Sequence, residues 1–369
     1  MMSMPKLTHL AAGLAAVGLA AITLPALAKE REVRIYNWSD YIDPEILKDF
    51  TKETGIKVVY DLFDSNEVLE TKLLAGGSGY DIVVPTGPFL SRQIKAGVFQ
   101  KLDKTKLPNI SNMWPEIMDR LAQYDPGNEH AINYMWGTTG FGYNVAKIKE
   151  RMADAPLNSW DMIFKPEVIA KFKDCGIYLL DAPDDVLPAA LHYLGLDANS
   201  TNPEEIQKAA ALVSSIRPNI KKFHSSEYID ALANGDICLA VGYSGDILQA
   251  RNRAAEAKNG NEIAYTIATE GAQMWFDEMA IPADAKHVAE AHEFLNYIMK
   301  PEVIAKASNF VSYANGNLAS QQFIDESVKG DKSVYPEAEV LKKLYVKKSY
   351  DAKTQRIVTR AWTKVVTGK

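Results

Sequence analysis

The stretch Val33-Arg34-Ile35-Tyr36-Asn37-Trp38-Ser39-Asp40-Tyr41-Ile42-Asp43-Pro44-Glu45 decides the fold. Residues 33–36 read as a short strand. Asp43-Pro44-Glu45 then supplies a capping carboxylate and an N1 proline for a helix that carries Ile46, Leu47 and Phe50 and stops at Gly55. Working outward, 56–60 is a second strand, 66–75 a second helix and 81–84 a third strand. Strands alternating with helices argue for a parallel sheet covered on both faces.

The alternation resumes after Trp136. Residues 160–172 read as helix, 177–180 as strand, 202–216 as a capped helix and 226–234 as a helix stopped by Gly235. A strand at 237–242 feeds a helix at 246–257. Two extended segments, 263–268 and 274–281, precede a helix at 288–299, and Pro301 opens a helical C-terminal part. The expected fold is α/β with two lobes and a cleft between them. Lobe 1 is drawn from 29–135 plus about 263–300, and lobe 2 from 136–262 plus about 301–369.

The N-terminus reads as an export signal. Lys6 is followed by an Ala/Leu-rich run from Leu10 to Leu24, and Ala26-Leu27-Ala28 offers a small-residue cleavage pattern. The run is short for a permanent span, so residues 1–28 are expected to be removed, leaving a periplasmic protein that is not embedded in the membrane. No Cys lies near the cleavage site for a lipid tether. Cleavage takes away one Lys and no acid, moving the formal net charge from −6 to −7. A mildly acidic chain without a Lys/Arg block is unsuited to nucleic acid or an anionic membrane. Two cysteines, Cys175 and Cys238, in an exported chain make a disulfide the default reading.

Ligands of open α/β sheets sit outside the carboxyl ends of the strands. The residues expected there are Trp38, Ser39, Asp40 and Tyr41; Thr86; Asp181, Asp184 and Asp185; Tyr243 and Asp246; Trp275 and Asp277; and Tyr313. They are aromatic, hydroxylic or acidic, with no Lys or Arg. Carboxylates accept the N–H donors of an alkylammonium, bonds of about 1.5–3 kcal/mol when charged. Rings bury its methylene stem at about 0.8 kcal/mol per CH₂ and add cation–π attraction. An anionic ligand would instead want Arg or a helix N-terminus. Asp43, Asp184, Ser226 and Asp246 also stand where helix caps stand, and a Trp or Tyr can equally be core.

Several long motifs now resemble a known family. Tyr36-Asn37-Trp38-Ser39-Asp40-Tyr41-Ile42, Lys52 to Asp61, Asp64 to Glu70, Phe223-His224-Ser225-Ser226, Asn234 to Cys238 and Ala361-Trp362-Thr363-Lys364 are similar to stretches of the periplasmic putrescine/spermidine-binding proteins of ABC importers. The resemblance runs from about Val33 to the C-terminus. It implies a monomeric two-lobed hinge protein that closes on a polyamine and docks on an inner-membrane permease, with no cofactor and no metal. Carried over by motif, Trp38 and Tyr243 are ring walls with Tyr41 and Tyr313 close by. Asp40, Asp246 and Asp277 take the ammonium groups, Ser39 and Thr86 add hydroxyls, and Cys175 and Cys238 stand where close relatives have a disulfide. The chain departs from the pattern at Thr86 (commonly Ser), Asp185 (usually Glu), Tyr243 (Trp in some members) and Trp275 (often Phe in putrescine-preferring members). These departures lean toward spermidine over putrescine, with both bound.

Catalysis finds no support in the motifs. His287-Val288-Ala289-Glu290-Ala291-His292 has the wrong spacing and Glu position for a zinc-protease helix, and Gly242-Tyr243-Ser244-Gly245 falls short of a nucleophile elbow. A same-fold binder of another small cation is the nearer alternative. Ferric iron would want paired tyrosines and a His, which suits this acid-rich set less well. A sensory protein that presents polyamine to a membrane receptor would use the same closed lobes.

Overall fold

The computed structural model describes residues 31–369, so the expected leader at 1–28 lies outside the described residues. Its strands are β1 (Glu32–Trp38), β2 (Lys57–Phe63), β3 (Ile82–Val83), β4 (Ala131–Asn144), β5 (Ile177–Leu179), β6 (Lys222–Phe223), β7 (Leu239–Tyr243), β8 (Ile263–Thr266), β9 (Gln273–Ala280), β10 (Ala314–Asn315) and β11 (Tyr345–Val346). The main path of the sheet runs β2-β1-β3-β9-β4-β7-β5-β6. A parallel triplet stands at each end, β2-β1-β3 and β7-β5-β6, and the antiparallel pair β9-β4 joins them.

The opening stretch folds as its residues dictate. Asp43 accepts the amide of Glu45 at 2.9 Å, Pro44 occupies the first turn of helix Pro44–Thr54, and Gly55 closes it in the left-handed region at φ 71. Ile46 and Phe50, one turn apart, are the buried side of this helix against β1. The expected helix at 160–172 is broken. Pro166 disfavours helical geometry at Lys165, so the segment becomes the short pieces Asp161–Phe164, Pro166–Ile169 and Ala170–Cys175.

Apolar side chains collect on both sides of the joining pair. One large cluster holds Phe141, Trp160, Leu179, Tyr228, Val241, Ile263 and Trp362. Another holds Val33, Phe50, Ile132, Met279, Phe294, Ile304 and Val311, with a smaller neighbour around Phe63 and Leu90. Ile263 and Ala268 pack in the cluster with Phe141 and Trp160, while Ile304 and Val311 pack in the cluster with Val33 and Phe294. A third cluster, with Trp136, Met274, Phe276, Leu248 and Ile324, fills the back of the joining pair. The Cα atoms of Cys175 and Cys238 are 5.5 Å apart, within the range of a disulfide.

Candidate functional site

A cleft partly open to solvent lies where the two parallel triplets meet the joining pair. Trp38 ends β1, Thr86 follows β3, Asp181 follows β5 and Tyr243 ends β7, so the carboxyl ends of the parallel strands do converge. Trp275 and Asp277 arrive differently. They sit inside β9, where period-two alternation turns Gln273, Trp275 and Asp277 to the cleft and Met274 and Phe276 to the cluster behind.

Rings make the walls. Trp275 packs edge-on against Tyr243 at 5.6 Å and against Tyr313 at 5.2 Å between centroids, and Tyr313 meets Tyr41 at 5.4 Å. Trp38 stands on Phe63 at 4.5 Å, its indole N–H donating to the Val84 carbonyl at 2.9 Å. These edge-to-face contacts fix the rings and leave faces for a ligand. Two glycines admit them. A Cβ at Gly137 would lie 2.7 Å from the Trp275 ring, and one at Gly245 would lie 2.5 Å from Tyr313.

Between the rings stand three carboxylates with neutral partners. Asp277 accepts Tyr41 Oη at 2.8 Å and Thr86 Oγ1 at 2.7 Å. Thr86 precedes helix Gly87–Lys95 but leaves the helix uncapped by its side chain. Its hydroxyl accepts from Asn66 at 2.9 Å and serves Asp277 instead. Asp246, in the first turn of helix Ser244–Ala257, accepts Tyr228 Oη at 2.6 Å and Tyr313 Oη at 2.7 Å, so it is not the simple cap its position allowed. Asp185 accepts Thr139 Oγ1 at 2.8 Å, Gln273 Nε2 at 3.1 Å and Tyr243 Oη at 3.2 Å. Burial raises the Asp277 carboxyl to about 7, opposed by its two hydroxyl donors and reinforced by the charges of Asp185 and Asp246. Burial likewise raises Asp246 to about 6 and Asp185 to about 6. A site in this condition gains from an incoming cation, which restores the charged form of each acid.

The cleft brings together Trp38, Ser39, Tyr41, Thr86, Asp185, Tyr243, Asp246, Trp275, Asp277 and Tyr313 from the sequence-based set. Asp40 lies outside the lining. It occupies the left-handed region at φ 54, and its carboxylate is held by Arg253 Nη2 at 2.6 Å; Arg253 also holds Asp230 at 2.7 Å. Phe63, Phe89, Gln273 and Lys347 line the cleft and were not foreseen. Gln273 stands two residues before Trp275, so the alternation of β9 is the signal for it. Lys347 lies in a lysine-rich stretch that reads as a solvated face.

The fold and cleft define a two-lobed solute-binding protein. Residues 45–336 match the family described as bacterial extracellular solute-binding protein, and the chain belongs to it. It is 55% identical to the putrescine-binding periplasmic protein SpuD of Pseudomonas aeruginosa (strain UCBPP-PA14), over 93% of this chain and 94% of that one. It is 52% identical to the putrescine-binding periplasmic protein PotF of Escherichia coli (strain K12), over 97% of each. The solved structure of the spermidine/putrescine ABC transporter substrate-binding protein PotD from Streptococcus pneumoniae is similar at a TM-score of 0.72 and 33% identity, covering 91% of this chain and 98% of that one.

Proposed function

We propose that the chain is a periplasmic polyamine-binding protein that takes putrescine or spermidine into the cleft and delivers it to an inner-membrane ABC permease. The observation that carries this reading is the set of Asp185, Asp246 and Asp277, buried among rings with hydroxyls and one amide as hydrogen-bond partners, and therefore suited to a ligand that brings the positive charge. Trp38, Tyr41, Tyr243, Trp275 and Tyr313 bury the methylene stem. Asp246 and Asp277 accept the ammonium groups, with Asp185, Ser39 and Thr86 beside them. Asp40 acts at the cleft margin through Arg253.

The relatives named for putrescine support the ligand class and the periplasmic setting. The partition of the apolar clusters supports lobes whose chain crosses between Met135 and Phe141, between Ala268 and Trp275, and between Tyr313 and Tyr350. Cleavage after Ala28 and a Cys175–Cys238 disulfide belong to the same reading, the latter supported by the 5.5 Å Cα separation. Isothermal titration of the mature protein, stripped of ligand by unfolding and refolding, tests the function against putrescine, cadaverine, spermidine and spermine. Saturable heat with at least one of the first three is expected. A refolded protein silent to all four would overturn the reading.

A further inference from the structure

The two ends of the cleft are not electrostatically alike. Asp185, like Asp246 and Asp277, has hydroxyl partners, but a buried cation, Lys347, also lines the cleft and acts on Asp184 and Asp185. Lys347 follows β11 and lines the cleft, and only 2% of the residue is exposed. Its Nζ donates to the Lys348 carbonyl at 2.8 Å and lies 3.1 Å from the centroid of the Tyr350 ring. The carboxylates of Asp184 and Asp185 attract this ammonium, and Asp197 acts from further off. Arg92 Nη1 stands 4.0 Å from Asp184 Oδ2, and Glu70 holds the same guanidinium at 3.0 and 3.2 Å, so its charge is already paired. Burial brings the Lys347 ammonium down to about 8, which leaves it mostly charged at neutral pH.

The backbone holds this lysine in place independently of its side chain. The Lys347 carbonyl accepts Tyr124 Oη at 2.5 Å, the Lys348 amide donates to Asn199 at 2.7 Å, and Ser349 Oγ donates to the Pro88 carbonyl at 2.7 Å. β11 pairs in parallel with β9, Tyr345 opposite Gln273 and Val346 opposite Met274. Lys347, the residue after β11, lines the same cleft as Trp275, the ring whose size suggested the longer polyamine.

We propose that Lys347 is a specificity-determining residue, a resident cation that occupies the Asp184/Asp185 end of the cleft and biases the site toward diamines by repelling a third ammonium group. This rests on the polyamine reading above. A diamine places its charges on the carboxylates that lack a cationic partner. The extra ammonium of a triamine has to share the low-dielectric end with Lys347, and like charges placed together discriminate strongly between ligands. Lys347 thus opposes the surface that Trp275 offers to additional methylenes.

Titration of the ligand-stripped protein with putrescine and spermidine, in the wild type and in Lys347→Met, Lys347→Arg and Lys347→Ala, tests this. Lys347→Met keeps the bulk and removes the charge. It should raise the spermidine-to-putrescine affinity ratio by about tenfold or more. Lys347→Arg should leave the ratio near that of the wild type. An unchanged ratio in Lys347→Met overturns the inference, as does a ratio that moves in Lys347→Ala alone, since bulk would then be the selector. Lys347→Gln replaces the Met variant if thermal unfolding shows the latter to be destabilised. Wild-type protein that binds neither amine would bring down the functional reading itself, a result distinct from intact binding with an unmoved ratio.

Discussion

Asp81 and Asp277 are both buried carboxylates, 2% and 5% exposed, yet they are satisfied in opposite ways. Asp81 is tied into the scaffold. It accepts the backbone amides of Arg34 at 2.9 Å, Lys286 at 3.0 Å and His287 at 2.9 Å, and pairs with His287 Nδ1 at 3.0 Å. It thereby fastens β1 to the turn before helix Val288–Ile298. Asp277 receives one tyrosine and one threonine hydroxyl and keeps lone pairs turned to the cleft. Backbone amides make a carboxylate part of the fold, whereas hydroxyls hold one in position while leaving its charge for something else to neutralise. Asp125, held by the amides of His130 and Ala131, belongs with Asp81. Asp246 and Asp185 belong with Asp277.

The contrast is sharpest in stability. Asp81→Asn loses acceptor capacity facing four donors and is expected to destabilise the protein by about 3 kcal/mol, read from urea unfolding, with ligand affinity little changed in whatever folds. A stable Asp81→Asn protein with impaired binding would dissolve the distinction. Asp277→Asn should do the reverse, weakening polyamine binding by about 1.5–3 kcal/mol while the fold survives. Asp246→Asn should follow it.

A finer expectation concerns pH. Asp277 is raised to about 7 and Asp246 and Asp185 to about 6, so the folded ligand-free protein holds protons that the unfolded chain releases near pH 4. Their contribution to stability is full below the unfolded value and is lost as pH rises through the folded ones. Relative to wild type, ligand-free Asp277→Asn should therefore gain stability on the order of 2 kcal/mol at pH 8 and almost none near pH 4.5. Equal effects at the two pH values would show that Asp277 is not held in the raised state. Polyamine affinity of the wild type should fall as pH drops from 8 to 5.5, because the acceptor carboxylates take up protons. The smallest effect belongs to the wall. Trp275→Phe trims the ring that packs on Tyr243 and Tyr313 and should shift the spermidine-to-putrescine ratio toward putrescine by about 0.5–1.5 kcal/mol. Parallel titration of both amines measures it, and an unmoved ratio leaves Thr86, Asp185, Tyr243 and Lys347 as the remaining candidates.

The parts of the fold that announce themselves in sequence have local punctuation. Asp43-Pro44 and Gly55 bracket a helix, and 33–36 and 56–60 are apolar runs between such marks. The strand Ala131–Asn144 escapes notice because all fourteen of its residues are buried, which removes the alternation, and because Gly137, Gly140 and Gly142 read as turn residues. Those glycines are demanded by neighbours instead: a Cβ at Gly140 would lie 2.3 Å from the Thr266 carbonyl oxygen, and one at Gly142 would lie 2.5 Å from Ile247. In the cleft, residues just past strands were readable because parallel sheets deliver their strand ends to one place. Trp275 and Asp277 came out as cleft residues for a different reason, their alternation within β9. Gln273 follows from the same alternation, whereas Lys347 depends on the pairing of β11 with β9, a contact between distant parts of the chain that no local pattern records.

The joining pair has a mechanical consequence. Thr139 is paired with Gln273 on one side of β4 and with Tyr243 on the other, so one unbroken strand is sewn into both halves of the molecule. Its side chain also donates to Asp185 in the cleft. Such a molecule flexes as a leaf spring does, by twist spread along a ribbon whose rungs stay intact, and has no need of a joint that unlatches. Amide protons along 131–144 should then exchange slowly with and without ligand, and rapid exchange confined to the empty protein would mean that the rungs break. Thr139 thus belongs both to the ribbon that joins the halves and to the shell of a ligand-facing carboxylate, so the spring and the sensor share a residue.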